Sequence, residues 1–160
     1  MSSISISSII FAFSAIFAGA VVPLQASANA ALGRGLGHPL WGTLVSLLVS
    51  LIAVIPILLT MRVPPPQISQ VVNLPIWSWV GGIAGIIYIT AALLLVPKLG
   101  ATNFIICVIA GQIIISVLID HFGLMGLPIK EIKLGKTFGI IFIFLGIFMV
   151  QYFTTNTDKI

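Results

Sequence analysis

Charged residues are scarce in this 160-residue chain, in which Asp, Glu, Lys and Arg together make up 6% of the sequence. A folded domain in water needs a larger polar surface, so the composition excludes an independent soluble enzyme or binding module. The formal net charge of +4 comes from seven basic and three acidic residues spread along the chain. So sparse a distribution is typical of a membrane topology signal, and we expect no nucleic-acid partner.

Cysteine and catalytic clusters are equally scarce. Cys107 is the only cysteine and lies within an apolar run, which excludes an intrachain disulfide and a metal site built from several cysteines. The sequence holds no paired carboxylates, no His/Cys cluster and no Ser/His/Asp set at a plausible spacing. We therefore expect no enzymatic activity, no metal site and no cofactor.

Long apolar runs are what the chain does have, since 59% of its residues are hydrophobic and its mean hydropathy is +1.26. A helix needs about 20 apolar residues to cross a hydrocarbon layer of about 30 Å. Five stretches meet or approach that length, so the sequence predicts an all-α integral membrane protein that forms a single transmembrane domain over residues 1–160. The five predicted helices cover about 4–32, 40–61, 76–96, 101–120 and 134–153.

The first apolar run is predicted to be a retained helix rather than a cleaved signal peptide. Residues 1–8 contain no Lys or Arg, and the run from Ile9 to Leu24 is longer than the core of an ordinary signal peptide. Pro23 gives this long helix a place to bend. In the third predicted helix, the spacing Gly81-x-x-x-Gly85, with Gly82 beside it, is typical of a face that packs closely against another membrane helix.

Uncharged polar residues in the first predicted helix form one candidate site. Gln25 and Asn29 are four residues apart, so both project from one helix face just after Pro23. Two interpretations stand side by side. The amides line a transporter cavity, since an interrupted helix with polar groups marks such sites, or they hydrogen-bond across helices and hold the bundle together.

The fourth predicted helix carries a second polar stripe. Gln112, Ser116 and Asp120 occur at i, i+4 and i+8 and therefore lie along one side of a helix. A carboxylate inside the bilayer costs several kcal/mol unless it is paired or wetted, so a buried Asp120 would face a cavity and could carry a proton. The alternative is that Asp120 simply ends the helix in the headgroup layer.

Four segments, in order along the chain, resemble the YdcZ-type family of the drug/metabolite transporter superfamily. They are AGAVVPLQASANAALG (18–33), WVGGIAG (79–85), PKLGA (97–101) and GQIIISVLIDHFG (111–123). The resemblance implies a multi-pass protein of the bacterial inner membrane. It also implies a five-helix unit equivalent to one half of a ten-helix transporter with inverted repeats.

The resemblance further implies secondary transport or export of a small molecule or metabolite. The polar residues Gln25, Asn29, Gln112, Ser116 and Asp120 match polar positions of the family, a match that does not by itself assign a role. As our own hypothesis, the first four contact the substrate. Asp120 is the predicted coupling residue, because it is the only acid in or bordering the helices apart from Glu131 of a loop. The chain departs from the related small multidrug resistance exporters, because its first predicted helix lacks their glutamate.

The basic residues divide almost evenly between the two sides of the predicted topology. One side has Arg62, Lys130, Lys133 and Lys136, and the other has Arg34, Lys98 and Lys159. Because the Lys and Arg asymmetry sets orientation, this chain is expected to insert both ways or to depend on a partner. An odd-helix half needs a second half of opposite orientation, so we predict an antiparallel homodimer, or a heterodimer with a related short membrane protein, that works by alternating access.

Two rival function classes share the predicted helix count. A flippase for lipid-linked carriers, or its accessory subunit, would open laterally and act on lipid. A non-transporting membrane scaffold would use the polar amides and small-residue faces only for assembly, so that Gln25→Ala and Asn29→Ala would weaken oligomers rather than flux.

Overall fold

A computed structural model describes residues 6–157, with side chains described for residues 6–154. This part of the chain consists of helices and turns without strands. The α-helices are α1 (Ile6–Gly35), α2 (Pro39–Thr60), the short α3 (Ile68–Val71), α4 (Val80–Phe122) and α5 (Leu134–Thr157). Single 3-10 turns lie at Ile76–Trp79 and Leu124–Gly126. The all-helical prediction is thereby confirmed, and its Ile4 to Ser5 portion lies outside the described residues.

Helix α4 is two helical segments joined at one glycine. Gly100 has φ 76° and ψ 157°, far from helical values and in a region where a side chain is strained. The two halves, 80–99 and 101–122, each extend about 30 Å at 1.5 Å per residue. Among the described residues four helices are long and apolar enough to cross a membrane, and one of them, Ile76–Phe122, contains this break. With the longest helix divided at Gly100, the described residues fit the five predicted membrane-spanning segments.

The predicted helix ends differ in detail from the observed ones. The third predicted helix was expected to stop before Pro97, yet the first half of α4 continues through Pro97 and breaks only at Gly100. Pro23 and Pro56 likewise remain inside α1 and α2. Membrane helices tolerate proline because neighbouring groups and local adjustments satisfy the backbone carbonyl that the proline leaves without a partner. Glycine with positive φ is the stronger break here.

The described chain divides into two compact units after Ala101. The first unit contains α1, α2, α3 and the first half of α4, and the second contains the rest of α4 and α5. The single transmembrane domain stays a prediction. Large apolar side chains are widely exposed in both units, for example Phe11 at 72% and Phe142 at 70%. Such exposure is typical of helices that face lipid rather than water.

A tight turn starts α2 and brings it against α1 in the first unit. Gly37 has φ 78°, and His38 then caps α2 in an extended conformation. The His38 Nδ1 atom accepts a hydrogen bond of 3.2 Å from the Leu40 N–H. Pro39 occupies the first helical position, where its missing N–H costs nothing.

Small residues allow the helices of the first unit to approach closely. A Cβ atom built on Gly42 would lie only 2.8 Å from the Gly33 Cα and would also collide with the Leu93 side chain. Three alanines on the same helical segments are each only 1% exposed: Ala26 and Ala30 of α1 and Ala92 of the first half of α4. Close backbone approach of this kind supplies van der Waals packing where lipid removes the hydrophobic drive between helices.

The glycines selected from the sequence lie elsewhere. A Cβ on Gly81, Gly82 or Gly85 would meet nothing within 4 Å in the described chain. Their packing against another helix stays a prediction. The contact between Gly33 and Gly42 was not predicted, because the two residues belong to different segments and no spacing pattern in the sequence links them.

In the second unit, the end of α4 is tied to the loop that leads to α5. Gly123 takes a left-handed conformation with φ 61° and ends α4. The Lys130 N–H then donates a 2.8 Å hydrogen bond to the Asp120 main-chain carbonyl. This bond ties the loop to the last turn of α4 and places the Lys130 backbone beside Asp120.

Candidate functional site

Each unit carries its own set of polar contacts inside an otherwise apolar structure. In the first unit they lie between helices, and in the second they line an open groove.

Asn29 lies in the helix contact of the first unit. Its residue is 7% exposed, and its Oδ1 atom accepts a hydrogen bond of 2.9 Å from the Ser46 hydroxyl of α2. Gln25, one turn earlier on α1, is exposed. The two amides that were predicted to form one patch therefore differ in surroundings, since one is engaged across α1 and α2 and the other faces outward.

A second polar contact of the first unit was not predicted. Thr43 of α2 is 3% exposed, and its hydroxyl lies 2.9 Å from that of Thr90 in the first half of α4. The Thr43 hydroxyl also lies 3.3 Å from the Pro39 carbonyl oxygen, which can accept from it. The only signal in the sequence was a threonine within an apolar run, which does not identify its partner. These bonds link three helical segments around the Gly33 and Gly42 contact.

The second unit contains an open groove between the second half of α4 and α5, which we call the polar groove. It has a volume of about 370 Å³. Gln112 and Ser116, both predicted from their spacing, line it, and both are exposed. Its other lining residues are Lys136 and five aliphatic side chains: Ile109, Ile113, Val117, Ile140 and Ile143.

Lys136 adds a cation to the polar groove. The sequence had indicated this lysine only as one of the basic residues that set topology. It lies in the first turn of α5, and its Nζ atom is 3.0 Å from the Asp120 Oδ2. The side chains of Lys136 and Asp120 are 45% and 26% exposed. Asp120 is therefore paired with the ammonium group that lines the groove, although Asp120 is not itself among the lining residues.

Asp120 lies in the last turn of α4, next to His121. Its carboxylate and its main-chain carbonyl both receive partners from the following segment, Lys136 and Lys130 respectively. In the sequence, Asp120 and Lys136 are two charged residues 16 positions apart, and no local pattern pairs them. A helix-end capping glycine and the loop geometry bring the pair together.

Among residues 6–154, no group of three or more His, Cys, Asp or Glu side chains is placed to hold a metal ion. Cys107 is exposed, and its Sγ atom accepts a 3.2 Å hydrogen bond from the Gln151 amide of α5. This contact lies within the second unit and links the second half of α4 to α5.

The fold and its exposed apolar surfaces define a multi-pass helical membrane protein. Residues 10–149 match the family described as "Putative inner membrane exporter, YdcZ". The match covers most of the 160 residues, so the chain belongs to the YdcZ family of the bacterial inner membrane. The predicted family and location are confirmed, and the family implies a transporter rather than an enzyme. No curated protein and no solved structure matches the chain.

Proposed function

We propose that this protein is a secondary exporter of a small molecule that works as an antiparallel dimer by alternating access. Membership of the exporter family over residues 10–149 carries the proposal. The open polar groove supports it, because a scaffold has no need to leave an amide, a hydroxyl and an ammonium group facing one open space.

The proposed substrate contacts divide into a groove set and a first-unit set. Gln112 and Ser116 offer hydrogen-bond donors and acceptors beside aliphatic walls, a combination that suits a small molecule with both polar and apolar parts. Gln25 is exposed and accessible to a substrate. Asn29 is the weakest member, because its side-chain oxygen already accepts from Ser46 and only its amide nitrogen is offered for substrate contact.

Asp120 is the proposed coupling residue, and it acts through Lys136. A proton on Asp120 removes the negative charge that holds the Lys136 ammonium at 3.0 Å. The ammonium then changes its position or its partner in the polar groove that Gln112 and Ser116 also line. Proton uptake at the end of α4 in this way changes the affinity of the groove for its substrate.

The proposed dimer follows from the odd number of spans and from the nearly equal division of the basic residues between the two sides of the predicted topology. Five spanning segments put the two chain ends on opposite sides of the bilayer, so a second copy completes the site only when it is inverted. Gly81, Gly82 and Gly85 have no neighbour near their Cβ positions in the described chain and are the proposed face for that copy. The ten-helix inverted-repeat equivalence belongs to the same proposal.

Export is tested by comparing spent media of cells that express the wild type or a groove variant. Untargeted mass spectrometry identifies compounds that accumulate outside with the wild type. Those compounds should disappear from the medium of the Gln112→Ala/Ser116→Ala variant at equal membrane abundance. A medium unchanged by wild-type expression contradicts export, and accumulation of lipid-linked products instead supports a flippase.

Orientation is tested in a Cys107→Ser background with single cysteines at Leu36, after α1, and at Leu127, before α5. Both positions are exposed, at 44% and 51%. Partial labelling of both by a membrane-impermeant thiol reagent in intact cells is expected for a chain that inserts both ways. Labelling of one alone excludes the antiparallel homodimer and leaves a partner of opposite orientation.

A further inference from the structure

Three lysines surround an open pocket where the loop after α4 meets α5. This lysine pocket has a volume of about 470 Å³ and is lined by Lys130, Glu131, Lys133 and Lys136. Lys136 already pairs with Asp120 at 3.0 Å. Two lysines then face one glutamate, so the pocket keeps a net positive charge.

An apolar groove lies on the same two helices of the second unit. It has a volume of about 320 Å³, and Thr137 is its only polar lining residue. The remaining lining residues are aliphatic or aromatic: Ile113, Ile114, Val117, Leu118, Ile132, Ile140, Ile141 and Phe144. Its apolar lining suits a hydrocarbon chain.

The lysine pocket and the apolar groove meet where the loop joins α5, because Ile132 of the groove lies between Glu131 and Lys133 of the pocket and Thr137 of the groove follows Lys136. Ile113, Val117 and Ile140 line both the polar and the apolar groove. Lys136 lines both the polar groove and the lysine pocket. Ammonium groups where the loop meets α5 therefore lie beside the end of an aliphatic groove that runs along the two helices.

We propose that this surface binds an anionic glycerophospholipid of the surrounding bilayer, with its phosphate at Lys130 and Lys133 and an acyl chain in the apolar groove. Basic pockets at the ends of membrane helices bind anionic headgroups, because the ammonium groups donate to phosphate oxygens and offset their charge. A free phosphate compound leaves the apolar groove unfilled. In a lipid without net charge, the headgroup cation offsets the phosphate, so the lysines meet no net negative charge.

The loop holds its lysines in place before any lipid arrives. The Lys130 N–H is bonded to the Asp120 carbonyl at 2.8 Å, and the Ile129 side chain contacts the capping residue Gly123. The Lys136 ammonium stays at Asp120 and is not needed for the phosphate. The proposed phosphate contacts, Lys130 and Lys133, are therefore separate residues from the proposed coupling pair, Asp120 and Lys136.

The test measures lipid adducts on the purified full-length protein by native mass spectrometry from a mild detergent. Dioleoylphosphatidylglycerol is compared with dioleoylphosphatidylcholine at equal concentration. The wild type should prefer the anionic lipid. Each lysine removed should lower that preference about fivefold, as expected for a lysine near an anionic headgroup. The variant is Lys130→Gln/Lys133→Gln, and the matched control is Lys98→Gln, which changes a lysine of the first unit.

Two further variants keep the result interpretable. Lys130→Arg/Lys133→Arg retains both charges and should retain the preference, which separates loss of charge from loss of folding. Ile141→Trp narrows the apolar groove and should lower adducts of both lipids.

Three results overturn the proposal. The first is an equal affinity of the wild type for the two lipids, and the second is an equal loss of preference in the Lys98→Gln control. The third is displacement of the lipid by glycerol phosphate at a similar concentration, which would assign the lysines to a soluble phosphate compound.

Discussion

The two units use the same polar groups, a side-chain amide and a hydroxyl, in opposite ways. In the first unit, Asn29 and Thr43 are buried and hydrogen-bonded between helices that meet at Gly33 and Gly42. In the second, Gln112 and Ser116 face an open groove. Polar groups between membrane helices hold them together when small residues permit close approach, and they stay available for a ligand when bulky aliphatic side chains keep the helices apart.

The largest effect is expected at the close contact of the first unit. In Gly42→Ala the new methyl group meets the Gly33 backbone at 2.8 Å, and backbone atoms cannot turn aside as a side chain can. Overpacking of this kind costs about 1–3 kcal/mol. Thermal unfolding in detergent micelles, followed by tryptophan fluorescence, should show a clear fall in Tm, since all three tryptophans lie in this unit.

The control for this substitution is Gly19→Ala in α1. A Cβ there meets nothing within 4 Å, so its Tm should stay unchanged or rise, because alanine favours a helix more than glycine does. An equal fall in both variants would show that the Gly33 and Gly42 contact does not hold the unit together.

Substitutions in the polar groove of the second unit should change transport and leave the stability of the protein unchanged. Gln112→Ala and Ser116→Ala each remove about one hydrogen bond to substrate, worth about 1 kcal/mol, or about fivefold in KM. Both residues are exposed, so Tm should not move. The measurement is efflux of the identified compound from proteoliposomes. A Tm loss without a change in KM would make these residues structural, like those of the first unit.

A smaller effect separates the two amides of α1. Asn29→Ala removes the acceptor of the Ser46 hydroxyl, and hydrogen bonds between membrane helices contribute about 0.6 kcal/mol on average. Gln25→Ala changes an exposed residue and should leave stability within about 0.5 kcal/mol. Unfolding in mixed micelles of increasing SDS content measures both. If Gln25→Ala is the more destabilising of the two, Gln25 belongs to the helix contact instead.

The smallest effect on the single chain is expected at the open glycines of α4. A Cβ atom at Gly81 or Gly85 meets nothing within 4 Å in the described chain, so we expect monomer stability to hold when leucine replaces both glycines. Chemical cross-linking in membranes should show fewer dimers for Gly81→Leu/Gly85→Leu than for the wild type. Undiminished cross-linking removes these glycines from the dimer proposal. Gly139→Leu in α5, which is also open, is the matched control.

The sequence predicted the spans and one side of the groove from local patterns. Apolar run length located all five segments, and four-residue spacing placed Gln112 and Ser116 together. The sequence placed the break over 97–100, and the structure narrows it to Gly100, because the helix continues through Pro97. The sequence missed Lys136, since a lysine at the start of a helix has no local pattern that names its carboxylate partner.

Hydropathy alone determined that this chain is a membrane protein with five spans, because the transfer of each segment into lipid depends on its own residues. Only the tertiary structure decided which polar groups are buried and which are open. Asn29 and Ser46, Thr43 and Thr90, and Asp120 and Lys136 meet across 16 to 47 residues of sequence. Such pairs depend on helix ends, turn geometry and small-residue contacts acting together, and no single segment encodes them.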